Sequence, residues 1–464
     1  MASPSPIDRL RNVGAALSVV TERWVPDAWV ICMALTACIL GLAVFGAGAS
    51  VEQAVLAWGD GVWTLLGLAM QFTVAFVAAG ACVASRPVFG ILDRLAALPD
   101  PAQPRQAVLL TGLVSMGTGL INAALCTVSC ALIVPFILRR NPLADLRVII
   151  AAAYLGLGTV WHGGLSGSAP LILATPGNPL IDPAAGPPIV DRLYPVTETL
   201  LQPFNLIYLP VIGAVALAVL WWVHPTRNVR TVTPEQVAAM LPEPPPPEPR
   251  PETPAQRLES FRGWTWLAAA LLAYPLGHSI VTRGFGASWT INAYNVVFLT
   301  AALLLHGRPL PFLRACRESV GISWGMILQF PFYAGIFGVM QATGLGGWIG
   351  EGFAQIATTD SYAFIVYCYA GFTNLFVPSA GSKWLIEAPY LIPVGEQLGV
   401  SPVSVLLAYA YGDSTTNLIQ PLFAIPLLAV TGTRFGEVVG FTFLVALACF
   451  AVSAVAMFWL PTNL

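Results

Sequence analysis

Long apolar stretches separated by short polar loops dominate the chain. Many reach the roughly 20 apolar residues that a helix needs to cross a bilayer, which predicts an all-α polytopic membrane protein. Residues 5–24 are amphipathic and are expected to lie at the membrane interface. The predicted membrane segments are 28–48, about 61–84, 106–138, 148–175, 203–223, 263–282, 288–305, 320–341, 362–396, 402–431 and 436–460.

Four of these segments contain residues that break helices. Glycines and Asn122 interrupt 106–138, and Pro378 and Gly381 interrupt 362–396. Both segments are long enough to enter and leave the membrane on one side, as re-entrant hairpins. Two further segments, 148–175 and 402–431, have polar or glycine-rich centres and predict discontinuous transmembrane helices. Broken backbone at membrane depth is tolerated only inside protein or beside an aqueous cavity.

The two halves of the chain match each other in order. A Pro-rich stretch, 224–261, divides residues 1–223 from residues 262–464 and is predicted to be a cytoplasmic linker, extended from Pro242 to Pro254. Three features recur in the same order in both halves. They are Asn122 and Asn374, Ala153-Tyr154 and Ala408-Tyr409, and Pro170-Leu171 with Thr175 and Pro426-Leu427 with Thr431. The matches predict two repeats.

The basic residues predict the orientation of those repeats. If both hairpins are re-entrant, 18 of the 21 basic residues lie on the side of the N-terminus. The positive-inside rule then makes the N-terminus cytoplasmic and opens the two hairpins to opposite sides. We therefore expect inverted-topology repeats, each with a hairpin and a discontinuous helix, an architecture of many membrane proteins that move solutes.

Composition excludes several classes of function. The chain is 56% hydrophobic and 9% charged, with mean hydropathy +0.74. A soluble protein of this length would need more charge on its surface. The net charge is −2 and no basic patch is present, so no nucleic-acid partner is expected. The eight cysteines lie mostly in apolar stretches, no histidine completes a zinc site, and no cofactor is expected apart from a coupling ion such as Na⁺.

The second hairpin carries the strongest candidate chemistry. Lys383 is the only lysine of the chain and lies among apolar residues, beside the predicted break. An ammonium, hydroxyls and free backbone N–H groups can bind an anion. The candidate substrate-binding residues, taken from both hairpin tips and both breaks, are Asn122, Ser166, Ser168, Asn374, Ser379, Ser382 and Lys383.

A coupling ion is predicted in the second discontinuous helix. Asp413 could hold a sodium ion together with neighbouring oxygens, or it could carry a proton. The remaining candidates for this role are Thr415, Thr416, Asn417, Gly163 and Gly164. Structural interpretations stay open: the glycines could serve helix packing, the hydroxyls could bond their own backbone, His162 could be a core histidine, and Lys383 could pair with Glu387 one helical turn away.

The chain also resembles a known family. The motifs that carry the resemblance are Trp24-Val-Pro-Asp27, Trp58-Gly-Asp-Gly61, Ser166-Gly-Ser168, Ala174-Thr-Pro-Gly-Asn-Pro179, Gln329-Phe-Pro-Phe-Tyr-Ala-Gly335, Val377-Pro-Ser379, Ala410-Tyr-Gly412 and Gln420-Pro421. They resemble the short-chain fatty acid transporter family of the ion transporter superfamily, related to divalent anion–sodium symporters. The resemblance implies uptake of carboxylates such as acetoacetate or butyrate, coupled to Na⁺ or H⁺, in the bacterial inner membrane. A homodimer is a candidate assembly.

This chain departs from the family pattern in two glycine runs. His162 interrupts the run before Ser166, and Ala380 and Ser382-Lys383 alter the run after Ser379. Substrate and coupling ion are therefore left open, and a carrier of another small organic anion, such as a dicarboxylate, is an alternative. A channel is a further alternative. A membrane-embedded hydrolase is disfavoured because there is no His-Glu-x-x-His, no Asp pair deep in the spans and no nucleophile elbow, so no enzyme is predicted.

Overall fold

The computed structural model describes residues 28–183, 187–226, 228–245, 251–377, 379–420 and 424–464. All regular structure in these ranges is helical, which confirms the all-α class. The amphipathic segment predicted at 5–24 lies outside them. The helices are α1 Ala28–Phe45, α2 Val51–Gly61, α3 Leu66–Val83, α4 Arg86–Leu95, α5 Pro104–Ile121, α6 Ala123–Arg140, α7 Leu146–Ala153, α8 Leu155–Thr159, a 3₁₀ turn Trp161–Gly163, α9 Ser168–Ala174, α10 Pro203–Val223, α11 Pro234–Met240, α12 Pro254–Glu259, α13 Arg262–Arg283, α14 Phe285–Ser288, α15 Ile291–His306, α16 Pro309–Ala342, α17 Leu345–Ile356, α18 Thr359–Asn374, α19 Ala380–Gln397, α20 Pro402–Asn417, α21 Ile425–Thr431 and α22 Phe435–Trp459.

Four of these helices are long and apolar enough to cross a membrane, namely α3, α6, α10 and α22. Shorter apolar helices include α15 and parts of α1 and α16. Helix α10 has the predicted bounds, and α13 and α22 differ from theirs by one residue at each end. Two boundaries were wrong. Residues 62–65 separate α2 from α3, and α16 begins at Pro309, eleven residues before the predicted span, because proline suits the first turn of a helix.

Each predicted hairpin is a pair of helices joined at a break. At the first tip, Asn122 takes an extended conformation with φ −162° and ψ 129°, and its Oδ1 accepts a hydrogen bond from the Leu125 N–H. The side chain thus ends α5 and caps α6. At the second tip, α18 ends at Asn374 and α19 begins after Ser379. The predicted discontinuous helices are interrupted as well. The first is divided into α7, α8, the 3₁₀ turn and α9, and the second into α20 and α21.

Glycine pairs bring each hairpin against the broken helix of its own half. A Cβ added to Gly119 would lie 3.1 Å from the backbone of Gly156, and one added to Gly371 would lie 3.1 Å from the carbonyl oxygen of Gly412. Gly119 and Gly371 each precede the asparagine at their hairpin tip by three residues. The two halves therefore share a local packing motif, a close approach of two backbones that only small residues allow. Their inverted orientation stays a prediction.

The linker contains two short helices and is bonded to both halves of the chain. Capping boxes begin both α11 and α12. Just before α11, the Arg230 N–H donates to Asp145 Oδ2 at 2.9 Å, and the Leu146 N–H donates to the Arg230 carbonyl. Arg230 also forms an ion pair with Glu437 at the start of α22. Residues 246–250, which include much of the predicted extended stretch, lie outside the described ranges.

Candidate functional site

Lys383 is buried in the first turn of α19, which is the second helix of the second hairpin. Its Nζ lies 2.9 Å from Asp413 Oδ1 and donates to the Ala370 carbonyl at 2.6 Å. The ammonium also lies 4.8 Å from the ring centroid of Tyr409, a cation–π distance. A buried charge needs such partners. The predicted pairing with Glu387 was wrong: the ion pair is with Asp413, which reaches Lys383 from a different helix.

Asp413 has a second partner in the first half of the chain. Its Oδ2 lies 3.2 Å from His162 Nδ1, and the Ala169 N–H donates to His162 Nε2 at 3.2 Å. Because Nε2 accepts a hydrogen bond, it carries no proton, and the proton of the neutral imidazole is on Nδ1. His162 therefore donates to Asp413 as a neutral group. The two discontinuous helices meet at this contact.

Glu387 is a second buried carboxyl near Lys383. It is 3% exposed, and its Oε2 has no hydrogen-bond partner among the described residues. Tyr369 and Tyr390 lie nearby, with their hydroxyls 2.7 Å apart. Burial makes the charged form of a carboxyl costly, so the acid form of Glu387 is favoured.

Asn374, at the second hairpin tip, is hydrogen-bonded to three groups of α20. Its Nδ2 lies 2.9 Å from the Asp413 carbonyl, 3.0 Å from Thr416 Oγ1 and 2.8 Å from Asn417 Oδ1. Asn417 in turn donates to the Leu157 carbonyl in α8 at 3.1 Å. These bonds fasten the tip to both discontinuous helices.

The residues predicted to hold a sodium ion take part in hydrogen bonds or in close backbone packing within the protein. Thr415 Oγ1 accepts from the Tyr367 hydroxyl at 3.0 Å and donates to the Tyr411 carbonyl at 2.9 Å. The Gly163 carbonyl accepts from Asn205. A Cβ on Gly164 would lie 2.5 Å from the Leu120 carbonyl oxygen, so this glycine allows close packing. Thr416 and Asn417 are bonded to Asn374, so each of these side-chain oxygens already takes part in a hydrogen bond within the protein.

Asn122 and Ser166 form a different kind of cluster. Asn122 is 1% exposed and Ser166 is 6% exposed, and neither Asn122 Nδ2 nor Ser166 Oγ has a hydrogen-bond partner in the described ranges. The hydroxyl of Tyr294 in α15 lies within interaction range of both side chains, although no hydrogen bond of standard geometry joins them. Buried polar groups normally find partners, so this cluster can bind a polar ligand. Nothing in the sequence pointed to Tyr294, because its helix has the pattern of an ordinary apolar membrane span.

The three remaining predicted serines lie where the first break meets the second hairpin tip. Ser382 Oγ donates to Ser379 Oγ at 2.6 Å. The Ser168 Cβ lies 3.4 Å from the position that a Cβ on Gly381 would occupy. The Tyr409 hydroxyl donates to the Ala380 carbonyl and holds the start of α19 against α20. The predicted residues are thus divided between an ion-pair centre, a free polar cluster and a serine contact.

The fold and the site define a class of protein: an integral membrane protein of apolar helices whose interrupted segments enclose buried charge. The comparison with known proteins then gives the family. A family model described as "Short chain fatty acid transporter" matches residues 9–460, and the chain belongs to this family. An Escherichia coli K12 protein named "Putative short-chain fatty acid transporter" is 33% identical over 90% of this chain and 93% of its own length. A Haemophilus influenzae protein of the same name is 29% identical over 93% of this chain and 96% of its own.

Solved structures share the fold. The Alcanivorax borkumensis YdaH transporter superposes with a TM-score of 0.54 at 17% sequence identity, covering 94% of this chain and 98% of that chain. Neisseria gonorrhoeae MtrF, described as illuminating a class of antimetabolite efflux pumps, also has a TM-score of 0.54, at 16% identity, covering 96% of this chain and 97% of its own. At such identities the likeness concerns the fold alone.

Proposed function

We propose that this protein is a secondary active transporter for short-chain monocarboxylates such as acetoacetate or butyrate. The observation that carries the proposal is the buried ammonium of Lys383. It is the only buried Lys or Arg side chain in the described ranges, and it lies at a helix break in a member of a carboxylate transporter family. A substrate carboxylate can replace Asp413 as its partner.

Charge favours a monocarboxylate over the dicarboxylate alternative. Asp413 and Glu387 are already present beside Lys383, and no second buried Lys or Arg occurs in the described ranges. A substrate with two carboxylates would bring an extra negative charge into a region of low dielectric, at a cost of several kcal/mol.

The free polar cluster provides hydrogen-bonding groups for the rest of the site. Asn122 Nδ2 and Ser166 Oγ are unpartnered, and the Tyr294 hydroxyl lies beside them. Donors of this kind bind carboxylate or carbonyl oxygens. In our proposal these groups contact substrate oxygens. Ser168, Ser379 and Ser382 lie where the two halves of the chain meet.

We propose transport by alternating access, which the burial of the charged centre supports. The charged centre is buried from both sides, which favours a carrier over an open channel. We place the protein in the bacterial inner membrane with a cytoplasmic N-terminus, as the distribution of basic residues indicates. A homodimer is the candidate assembly, and we propose no enzymatic activity.

Uptake by purified protein in liposomes tests the proposal. Wild-type protein should give saturable, gradient-driven uptake of monocarboxylates of two to six carbons, above that of protein-free liposomes. Lys383→Gln should abolish it, because a neutral amide cannot balance the substrate charge. The matched control is Arg192→Gln, which removes an exposed cation whose partner is Glu198 and should transport normally. Normal uptake by Lys383→Gln would contradict the proposal.

A further inference from the structure

Two buried carboxyls share one ammonium in the interior of this protein. Asp413 and Glu387 are 1% and 3% exposed, and Lys383 is the only cation beside them. His162 adds no charge, because its Nε2 accepts the Ala169 N–H. The group is electrically neutral only when one carboxyl holds a proton. Lys383 forms its ion pair with Asp413, whereas Glu387 Oε2 has no hydrogen-bond partner among the described residues, so Glu387 is the one that holds the proton.

A bound monocarboxylate changes this balance by one negative charge. Three carboxyls would then share the ammonium of Lys383, and neutrality requires a second proton. When the substrate takes Lys383 from Asp413, the Asp413 carboxylate loses its counter-ion and becomes the group that must be protonated. Its bond from His162 survives this change, since a carboxylic acid still accepts through its other oxygen.

We infer that each monocarboxylate is bound and moved together with one proton, which is carried by Asp413, so that transport is electroneutral. The inference rests on the proposed function and names its coupling ion. On the outer side, the substrate anion and a proton enter, and the Lys383–Asp413 ion pair is replaced by a Lys383–substrate pair and a neutral Asp413. On the inner side, Asp413 releases its proton and recovers Lys383, and the substrate leaves as the anion. One anion and one proton cross, and no bond in the substrate changes.

No other group near Asp413 suits this role as well. The 3₁₀ turn supplies His162, α18 supplies Tyr367 and Tyr369, α19 supplies Lys383, Glu387 and Tyr390, α20 itself supplies Tyr409 and Tyr411, and α22 supplies Cys449, whereas α8 and α9 have no titratable side chain. Phenols and thiols are neutral at physiological pH when buried. Protonation of His162 would break the bond from Ala169 and place two N–H groups against each other. His162 is therefore a positioning residue.

Proton uptake during binding is the direct test, and it needs no variant. Purified full-length protein in lightly buffered, sodium-free detergent solution near pH 7 is titrated with acetoacetate, while a pH indicator records protons withdrawn from the solution. We expect about one proton per anion bound, because Asp413 changes from ion-paired to neutral. Saturable binding without proton uptake, or binding that requires Na⁺, would overturn the inference.

Initial rates in proteoliposomes provide the second test. An acidic exterior should stimulate acetoacetate uptake above that of protein-free liposomes, whereas an imposed membrane potential or replacement of Na⁺ by choline should leave the rate unchanged. A rate that follows potential or Na⁺ would refute proton coupling and leave carboxylate transport standing. A protein that neither binds nor transports any carboxylate of two to six carbons would contradict the proposed function, and the inference would fall with it.

Carboxyl-to-amide variants locate the proton. Glu387→Gln should keep stimulation by an acidic exterior, because the amide imitates a protonated carboxyl. The double variant Asp413→Asn with Glu387→Gln should lose the stimulation and retain exchange of internal for external acetoacetate. Asp93→Asn is the control, since Asp93 pairs with Arg139 and Arg140 far along the chain from the site. Stimulation that persists in the double variant would exclude Asp413 as the carrier, and if that variant does not fold, the binding titration decides.

Discussion

The two hairpin tips carry the same residue type in opposite roles. At the second tip, Nδ2 of Asn374 is shared among three acceptors of α20. At the first tip, Oδ1 of Asn122 caps α6, but its Nδ2 is unbonded, as is Ser166 Oγ beside it. Both side chains are 1% exposed, so burial does not distinguish them.

The comparison indicates that the matching asparagines of the two halves of the chain differ in role. A fully bonded buried amide contributes to stability, and a buried amide with an unmet donor lowers stability until a ligand satisfies it. We therefore assign Asn374 to holding the ion-pair centre together and Asn122 to contacting substrate. The same substitution at both tips separates these roles.

The largest effect is expected from Asn374→Ser. The shorter side chain cannot reach three acceptors, so the buried Asn417 and the partly buried Thr416 lose their donor. We expect a loss of about 1–3 kcal/mol in the free energy of unfolding, measured by thermal or denaturant unfolding in detergent. If stability is unchanged and only substrate affinity falls, Asn374 belongs to the binding site and the two tips act alike.

Asn122→Ser should have the opposite profile. Serine is a good N-cap and can still accept the Leu125 N–H, so stability should change by less than about 0.5 kcal/mol. The lost amide donor should weaken carboxylate binding by roughly tenfold or more, as expected for one hydrogen bond to a charged group. Affinity is measured by titration with acetoacetate. Wild-type affinity in this variant would remove the first tip from the site.

Tyr294→Phe should give the smallest change in affinity, and it tests whether the first hairpin tip contacts the substrate. The ring still fills its place in α15, and only the hydroxyl beside Asn122 and Ser166 is lost. We expect a decrease in affinity of roughly threefold, the value of a single neutral hydrogen bond. Combining this change with Asn122→Ser in a double-mutant cycle should give a non-additive result, because both groups would contact one ligand. Strict additivity would place Tyr294 outside the cluster.

Much of the fold could be predicted, because it follows from local properties of the sequence. Apolar stretches predicted the helices, and helix-breaking residues predicted the interruption at Asn122. The second interruption begins after Asn417, so Asp413, which was expected in the break, lies within α20. Helix α17 and the amphipathic α4 were not predicted, since neither is long and apolar. The start of α16 was also missed, because its first turns carry arginines and read as a loop.

The site was harder to predict for a physical reason. Helical spacing gave Glu387 as the partner of Lys383, whereas the structure pairs Lys383 with Asp413, thirty residues away in sequence. Likewise, His162 reaches Asp413 across 251 residues. Such contacts depend on how helices are placed relative to one another, which spacing along a single helix does not determine. The unusual residues could be recognised, but their pairings needed the structure.

The paired glycines have a mechanical consequence. Between Gly119 and Gly156 backbone meets backbone directly, and between Gly371 and Gly412 the nearest side-chain atom is the methyl carbon of Thr416. A displacement of a hairpin tip is therefore transmitted directly to the broken helix against which it packs. When an anion at the second tip draws Lys383 from Asp413, the displacement has no soft layer to absorb it, and hairpin and broken helix must shift together.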